Sequence, residues 1–205
     1  MPRVNAKVRE ETRGQLLAAG AEHIARDGLE RASVDAIAIA AGYAKGTFYN
    51  YFDSKEQLFG EVIAEAARRA VSHYARAKVR GTTRQQLLAL AAADVDVLRE
   101  QEAFTKVVIR EVMSFRPKTY PLILAHLAPF LQKIEAVLSR GVVRGEVRGD
   151  RPIDQQTLIF VGTLALLYVQ HWGSGGLRPS LDDVPHLAVD SFLDGAGVRS
   201  GARKR

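Results

Sequence analysis

Glycine ends successive helical runs in the first third of this chain. Leu17, Ala21, Ile24 and Ala25 share one face of a 3.6-residue repeat, and Gly28 follows where a left-handed terminating residue belongs. Ser33 stands where it can cap a second helix that carries Val34, Ile37, Ala38 and Ala41 inward, and Gly42 stops that helix. A third, very short run spans about Lys45 to Phe52, with Phe48 and Phe52 one turn apart. Ser54 and Gln57 then fit a capping box, opening a long fourth helix through Leu58, Phe59, Val62, Ala66 and Ala70. Strand signals are almost absent: no alternating Val/Ile/Thr runs and no Asn-Gly hairpin turn occur. The expectation is an all-α fold.

Gly81-Thr82-Thr83 breaks the pattern, and helices are expected downstream at roughly 84–99, 102–115, 120–144, 154–172 and 181–195. Pro121 suits a first helical turn, whereas Pro129 is expected to kink or divide its helix. Gly141, Gly145 and Gly149 mark a connecting segment, and Gly173-Ser174-Gly175-Gly176 a flexible loop. The tail 199–205 is basic and expected to be disordered.

Composition excludes more than it selects. With no cysteine among 205 residues, disulfides, thiolate zinc sites and thiol redox sensing are ruled out. His73, His126 and His171 form no i, i+4 pair, so neither a metal site nor a cofactor is expected. A net charge of +6 is compatible with a polyanionic partner, but the first fifty-odd residues carry nearly as many acids as bases, so the argument from charge is slight. The N-terminus has no apolar leader, and Leu158 to Trp172 falls short of the ~20 residues that cross a bilayer. A cytoplasmic protein without membrane attachment is expected. No Gly-rich phosphate loop, paired metal ligands or Gly-x-Ser-x-Gly elbow argues for an enzyme.

Two short helices about a tight glycine turn can cross at a steep angle. If the second buries Phe48 and Phe52, it must expose Lys45, Thr47, Tyr49, Asn50 and Tyr51, a face of donors, acceptors and aromatic edges such as a helix in a major groove presents. On periodicity alone, a helical hairpin packed against the rest of the chain would serve as well.

Ile37-Ala38, Ala41-Gly42, Lys45-Gly46-Thr47-Phe48-Tyr49, Phe52 and Lys55-Glu56-Gln57-Leu58-Phe59 stand in the order and spacing of the TetR family of bacterial repressors, which residues 9–62 resemble. The resemblance implies a three-helix helix-turn-helix DNA-binding domain (1–55), joined within a long fourth helix to a larger helical ligand-binding and dimerisation domain (56–198). It implies DNA contacts from Ser33, Lys45, Gly46, Thr47, Tyr49, Asn50 and Tyr51, with Lys55 as a phosphate clamp. Ala44 departs from the family, where a serine often caps the recognition helix.

The C-terminal region has no comparable motif. The resemblance implies dimerisation through the last two long helices. Leu158 to Val169 is apolar nearly all round, and Gly162, Thr163 and Ala165 permit close helix approach. Val184, Ala188 and Phe192 stripe the final helix, with Leu181 and Leu187 nearby; an intramolecular core is the alternative. Tyr74, Phe104, Val108, Arg110, Met113, Phe130, Phe160, Tyr168 and Trp172 are candidate ligand liners, combining aromatics with occasional polar groups. The resulting expectation is a homodimeric repressor released from a palindromic duplex operator by a small-molecule inducer. A ligand-independent or architectural DNA-binding protein, or a helical small-molecule binder without DNA activity, are the alternatives.

Overall fold

The computed structural model describes residues 6–77, 80–114, 117 and 119–196; the basic tail lies outside them. All regular elements among the described residues are helices: α1 (Ala6–Asp27), α2 (Val34–Ala40), α3 (Lys45–Tyr49), α4 (Lys55–Arg76), α5 (Thr83–Glu100), α6 (Glu102–Met113), α7 (Tyr120–Val143), α8 (Ile153–Gly173) and α9 (Val184–Ala196). None is long and apolar enough to cross a membrane.

Contacts sort these helices into two compact units, Met1–Arg69 with Glu100–His126, and Ala70–Arg99 with Leu127–Arg205. This division differs from the functional one placed at residue 55, because α6 and the first two-thirds of α4 join the first unit. In that unit α1 buries Leu16, Leu17, Ala21 and Ile24, and it packs against both α2 and α6. Ser33 caps α2, its hydroxyl accepting from the Ala36 amide at 3.5 Å. The same helix ends in a Schellman turn: Tyr43 N–H donates to the Ala38 carbonyl and Gly42 N–H to that of Ile39, both at 2.9 Å. Gly42 has φ +82°, a conformation glycine adopts without the Cβ clash of other residues. The α4 start is a reciprocal box in which Gln57 N–H donates to Ser54 Oγ and Gln57 Oε1 accepts from Asp53 N–H.

In the second unit, α8 and α9 pack together, with Phe160 edge-on to Phe192 at 5.4 Å between ring centroids. Helix α7 runs on through Pro129 instead of dividing there. Proline removes one backbone hydrogen bond, to the carbonyl four residues back. Buried Phe130, Ile134, Val137 and Leu138 secure the helix beyond it. Gly141 lies inside α7, which ends at Val143, so the connecting segment begins beyond it, as the expected helix of 120–144 implied. Just beyond α7, Glu146 caps α5 from outside, accepting from the first helical amide, Thr83 N–H, at 2.6 Å and from Arg144 Nε at 3.1 Å.

Hydrogen bonding from Thr83 first, and from Arg144 second, holds the Glu146 pKa down to about 2 from 4.5. A depressed carboxylate stabilises the fold above its unfolded pKa, and that contribution is lost as the pH falls through the folded one. Glu146→Gln is therefore expected to lower the melting temperature at pH 7, and the two thermal-melting curves should converge between pH 4.5 and 2.

Candidate nucleic-acid interface and ligand core

The short helix α3 is fastened from beneath. Phe48 and Phe52 are 0% and 1% exposed, with ring centroids 5.4 Å apart. The opposite face is open: Lys45, Gly46, Tyr49 and Asn50 are exposed, Thr47 and Tyr51 are half-buried, and Tyr49 keeps 50% of its surface. A Cβ at Gly46 would meet nothing within 4 Å, so nothing in the fold occupies the space before this face. Among the described residues, the site residues expected on α3 thus share one solvent-facing surface, with Ser33 at the head of the neighbouring helix.

The cations of this surface are held by local partners. Lys45 Nζ donates to Asp35 Oδ2 at 3.0 Å, both side chains about half exposed, and the Asp35 carboxylate raises the lysine pKa. Lys55 Nζ donates to the Glu30 carbonyl at 2.7 Å and to that of Ala32 at 3.4 Å, so it ties down the loop between α1 and α2 from the first turn of α4. Ala44 makes no side-chain cap to α3, as its missing hydroxyl requires.

Two residues of this surface escaped the sequence reading. Tyr43 donates its hydroxyl to Gln15 Oε1 at 2.5 Å and lies 3.2 Å from Thr12 Oγ1, tying the turn before α3 to α1. The Arg9 guanidinium stands 5.9 Å from the Tyr51 ring centroid, within cation–π range. Neither has a spacing signal, because each meets a partner far away in the sequence, between α1 and the residues that flank α3.

The ligand-liner candidates divide between the units. Phe104, Val108, Arg110 and Met113 lie on α6 in the first unit. Phe104 is buried 5.3 Å beneath the Arg69 guanidinium, Val108 is half-buried and Met113 is exposed. Arg110 donates from Nη1 to the Ala25 and Arg26 carbonyls, 3.0 Å each. At the start of α6, Gln101 is buried with no hydrogen-bond partner for its side-chain amide among the described residues, another feature without a sequence signal.

The second unit gathers Tyr74, Phe130, Tyr168 and Trp172, while Phe160 packs on α9. Tyr74 stacks on Phe130 at 4.3 Å and Tyr168 lies 6.3 Å from Trp172. Between the tyrosines sits Asp94 of α5, which the sequence reading did not single out. Tyr74 donates to its Oδ1 at 2.5 Å and Tyr168 to its Oδ2 at 2.7 Å. Asp94 keeps some accessible surface, yet the density of protein around it desolvates the carboxylate; burial raises its pKa and the two hydroxyl bonds oppose the rise only in part. Burial first, and the Asp94 charge second, push both tyrosines well above 10.0.

Residues 16–62 match the profile of the bacterial regulatory proteins of the tetR family. Residues 16–62 thus carry the DNA-binding segment of that family. It is 38% identical over 98 residues to the HTH-type transcriptional activator FasR of Mycolicibacterium smegmatis, a match covering 47% of this chain and 44% of that one. The chain thus spans less than half the length of that relative. It is 23% identical to the fatty acid metabolism regulator protein of Bacillus subtilis over 73% of its own length and 78% of the relative's. In structure it resembles the Bacillus subtilis transcriptional regulator FadR in complex with stearoyl-CoA, with TM-score 0.74 and 21% identity over 89% of this chain and 98% of that one. The matched segment contains the whole exposed face of α3 and the two phenylalanines beneath it.

The two hydroxyls are the hydrogen-bond donors to Asp94 among the described residues. Tyr168→Phe removes one of them from a desolvated acceptor and is expected to cost about 1–3 kcal/mol of unfolding free energy. Urea denaturation of the two proteins at pH 7 measures the difference.

Proposed function

We propose that this chain is a homodimeric DNA-binding transcriptional regulator of the TetR family, acting in the cytoplasm as a repressor that a small molecule releases from a palindromic operator. The observation that carries the reading is the open face of α3, where Lys45, Thr47, Tyr49 and Asn50 stand above buried Phe48 and Phe52. Lysine and asparagine at the head and end of a short exposed helix can reach base edges, and tyrosine hydroxyls can reach bases or phosphates. The Lys45–Asp35 pair does not oppose this, since a solvent-exposed pair is weak and phosphates compete for the ammonium. Lys55, near the first turn of α4, would orient the loop before α2 toward the backbone while contributing its charge to the phosphates.

The ligand side is supported by different features. The matched relatives named for fatty acid metabolism, one of them solved with stearoyl-CoA, point to a long-chain acyl thioester as the first ligand class to test. The unpaired amide of Gln101 offers a buried polar contact of the sort that a ligand satisfies. To release DNA the ligand must favour the non-binding arrangement, by roughly 5.5 kcal/mol for a nearly complete switch.

Duplexes selected from random-sequence DNA provide the test. The protein should enrich a palindrome whose half-sites lie about 34–36 Å apart, and stearoyl-CoA should lower its affinity for that duplex in fluorescence anisotropy. Tyr49→Ala is expected to weaken operator binding by about 1–3 kcal/mol with dimer and helicity intact. Enrichment of no sequence would refute the regulator reading, and a palindrome bound equally with and without the thioester would refute only the ligand class.

Dimerisation is assigned to α8 and α9. Val184, Ala188 and Phe192 are buried within the unit, so the stripe expected on α9 belongs to its own core. The outward face is also apolar: Leu158, Ile159, Leu166 and Val169 on α8 are each at least 42% exposed, joined by Leu187 on α9. A Cβ at Gly162 on that face would meet nothing within 4 Å, leaving room for a second helix. An apolar patch of this kind is what an isologous interface buries. Leu166→Glu is expected to convert the dimer to a folded monomer in sedimentation velocity, with its circular dichroism unchanged.

A further inference from the structure

We infer that Arg110 is a positioning residue for DNA recognition: from α6 it holds the C-terminal end of α1, and α1 holds the recognition helix. The inference rests on the regulator reading above. The last carbonyls of a helix lack intrahelical partners and carry the negative end of its dipole, so a cation placed there is favoured. Arg110 Nη1 donates to two of these carbonyls on α1, Ala25 and Arg26, at 3.0 Å each.

The seat is shaped to the guanidinium. Gly28 follows α1 with φ +81°, and a Cβ there would lie 3.2 Å from Arg110 Nε and 3.4 Å from Nη2. Any other residue at this position would adopt strained backbone and press on the arginine. Gly28 is thus required twice, for the turn and for the approach of α6.

At its other end α1 meets the residues that flank α3. Tyr43, in the turn before α3, bonds Gln15; the Arg9 guanidinium lies over Tyr51, and the Arg13 guanidinium is 5.8 Å from the Phe52 ring centroid. Arg13 also pairs with Glu61 of α4. Helix α1 therefore meets Arg110 of α6 at its C-terminal carbonyls and, through its N-terminal half, the residues that flank the recognition helix on either side. A shift of α6 that carries Arg110 with it is passed along a rigid 22-residue rod to the residues that aim Tyr49 and Tyr51. Arg110, a sequence candidate for the ligand, is assigned here to the link between α6 and the DNA-reading surface.

Arg31 supplies the control. Its Nε donates at 3.0 Å to the Asp27 carbonyl, at the same end of α1, but it comes from the loop beyond α1 and does not involve α6. Arg110→Ala is expected to weaken binding to the selected palindrome about tenfold. It should change affinity for a random duplex at low salt by less than about twofold, because phosphate contacts remain. Arg31→Ala should leave both affinities unaltered, Arg110→Lys should restore most of the loss, and Gly28→Ala should reproduce it. A merely structural role would depress both affinities together, or would make Arg31→Ala equivalent to Arg110→Ala; either result overturns the assignment.

Amide hydrogen exchange reads the same link without DNA. Arg110→Ala should speed exchange in the last turn of α1 and across residues 43–52, whereas Arg31→Ala should not. If the wild-type protein selected no palindrome, the regulator reading would fail while the exchange experiment still decided the link. Unchanged protection of residues 43–52 in Arg110→Ala would refute it.

Discussion

The burial of Phe48 and Phe52 is the contact on which the reading surface depends. A five-residue helix makes almost no hydrogen-bonded turns of its own, and helices this short are unstable in isolation. Without a side-chain cap at Ala44, α3 persists because two aromatic rings anchor it to the unit, each worth roughly 1.5–3 kcal/mol of apolar burial. Anchoring also fixes rotation. With the rings one turn apart facing inward, Lys45, Tyr49 and Asn50 have only the outward side left to them. Exposure of the polar face follows from packing beneath it, and that is why the helix can be so short.

The second unit solves a different problem, how to hold polar groups within an apolar core. Asp94 takes a hydroxyl on each carboxylate oxygen, from α4 and α8, and so joins three helices through one side chain. The arrangement costs desolvation of the charge, visible in the raised pKa, and it gains directionality that apolar contacts lack. Helix α8 thereby gets a unique inner face, with Phe160, Leu164 and Tyr168 toward the unit and an apolar outer face turned away. A helix that is apolar all round has two faces to bury, and only one is buried within the chain.

Residues close in sequence could be read because their interactions are local. The Ser33 cap, the left-handed Gly28 and Gly42, the Ser54–Gln57 box and the inward Phe48 and Phe52 are all consequences of spacing along a single helix or turn. What eluded the sequence are meetings between elements far apart in the chain. Nothing in the periodicity of α6 says that Arg110 meets the carbonyls of Ala25 and Arg26 on α1. Asp94 sits with Asp96 in a run of alanine and valine, where nothing in the spacing separates a buried acid from an exposed one, and only the convergence of Tyr74 and Tyr168 gives it a role. Pro129 does not divide its helix for a related reason: the rule for proline counts the lost backbone bond and not the side chains that hold the helix on either side.

The grouping of α6 with the first three helices changes what a ligand has to do. If the DNA-reading unit were α1 to α3 alone, a signal would have to enter through α4, whose first turn carries Lys55 and the loop it secures. With α6 packed on α1 and its arginine seated on that helix's carbonyl end, a second point of entry exists at the other side of the same unit. Two attachment points define a rotation better than one. Because Gln15, Arg9 and Arg13 of α1 reach Tyr43, Tyr51 and Phe52, a change in the setting of α1 bears on the segments that flank α3 at both ends.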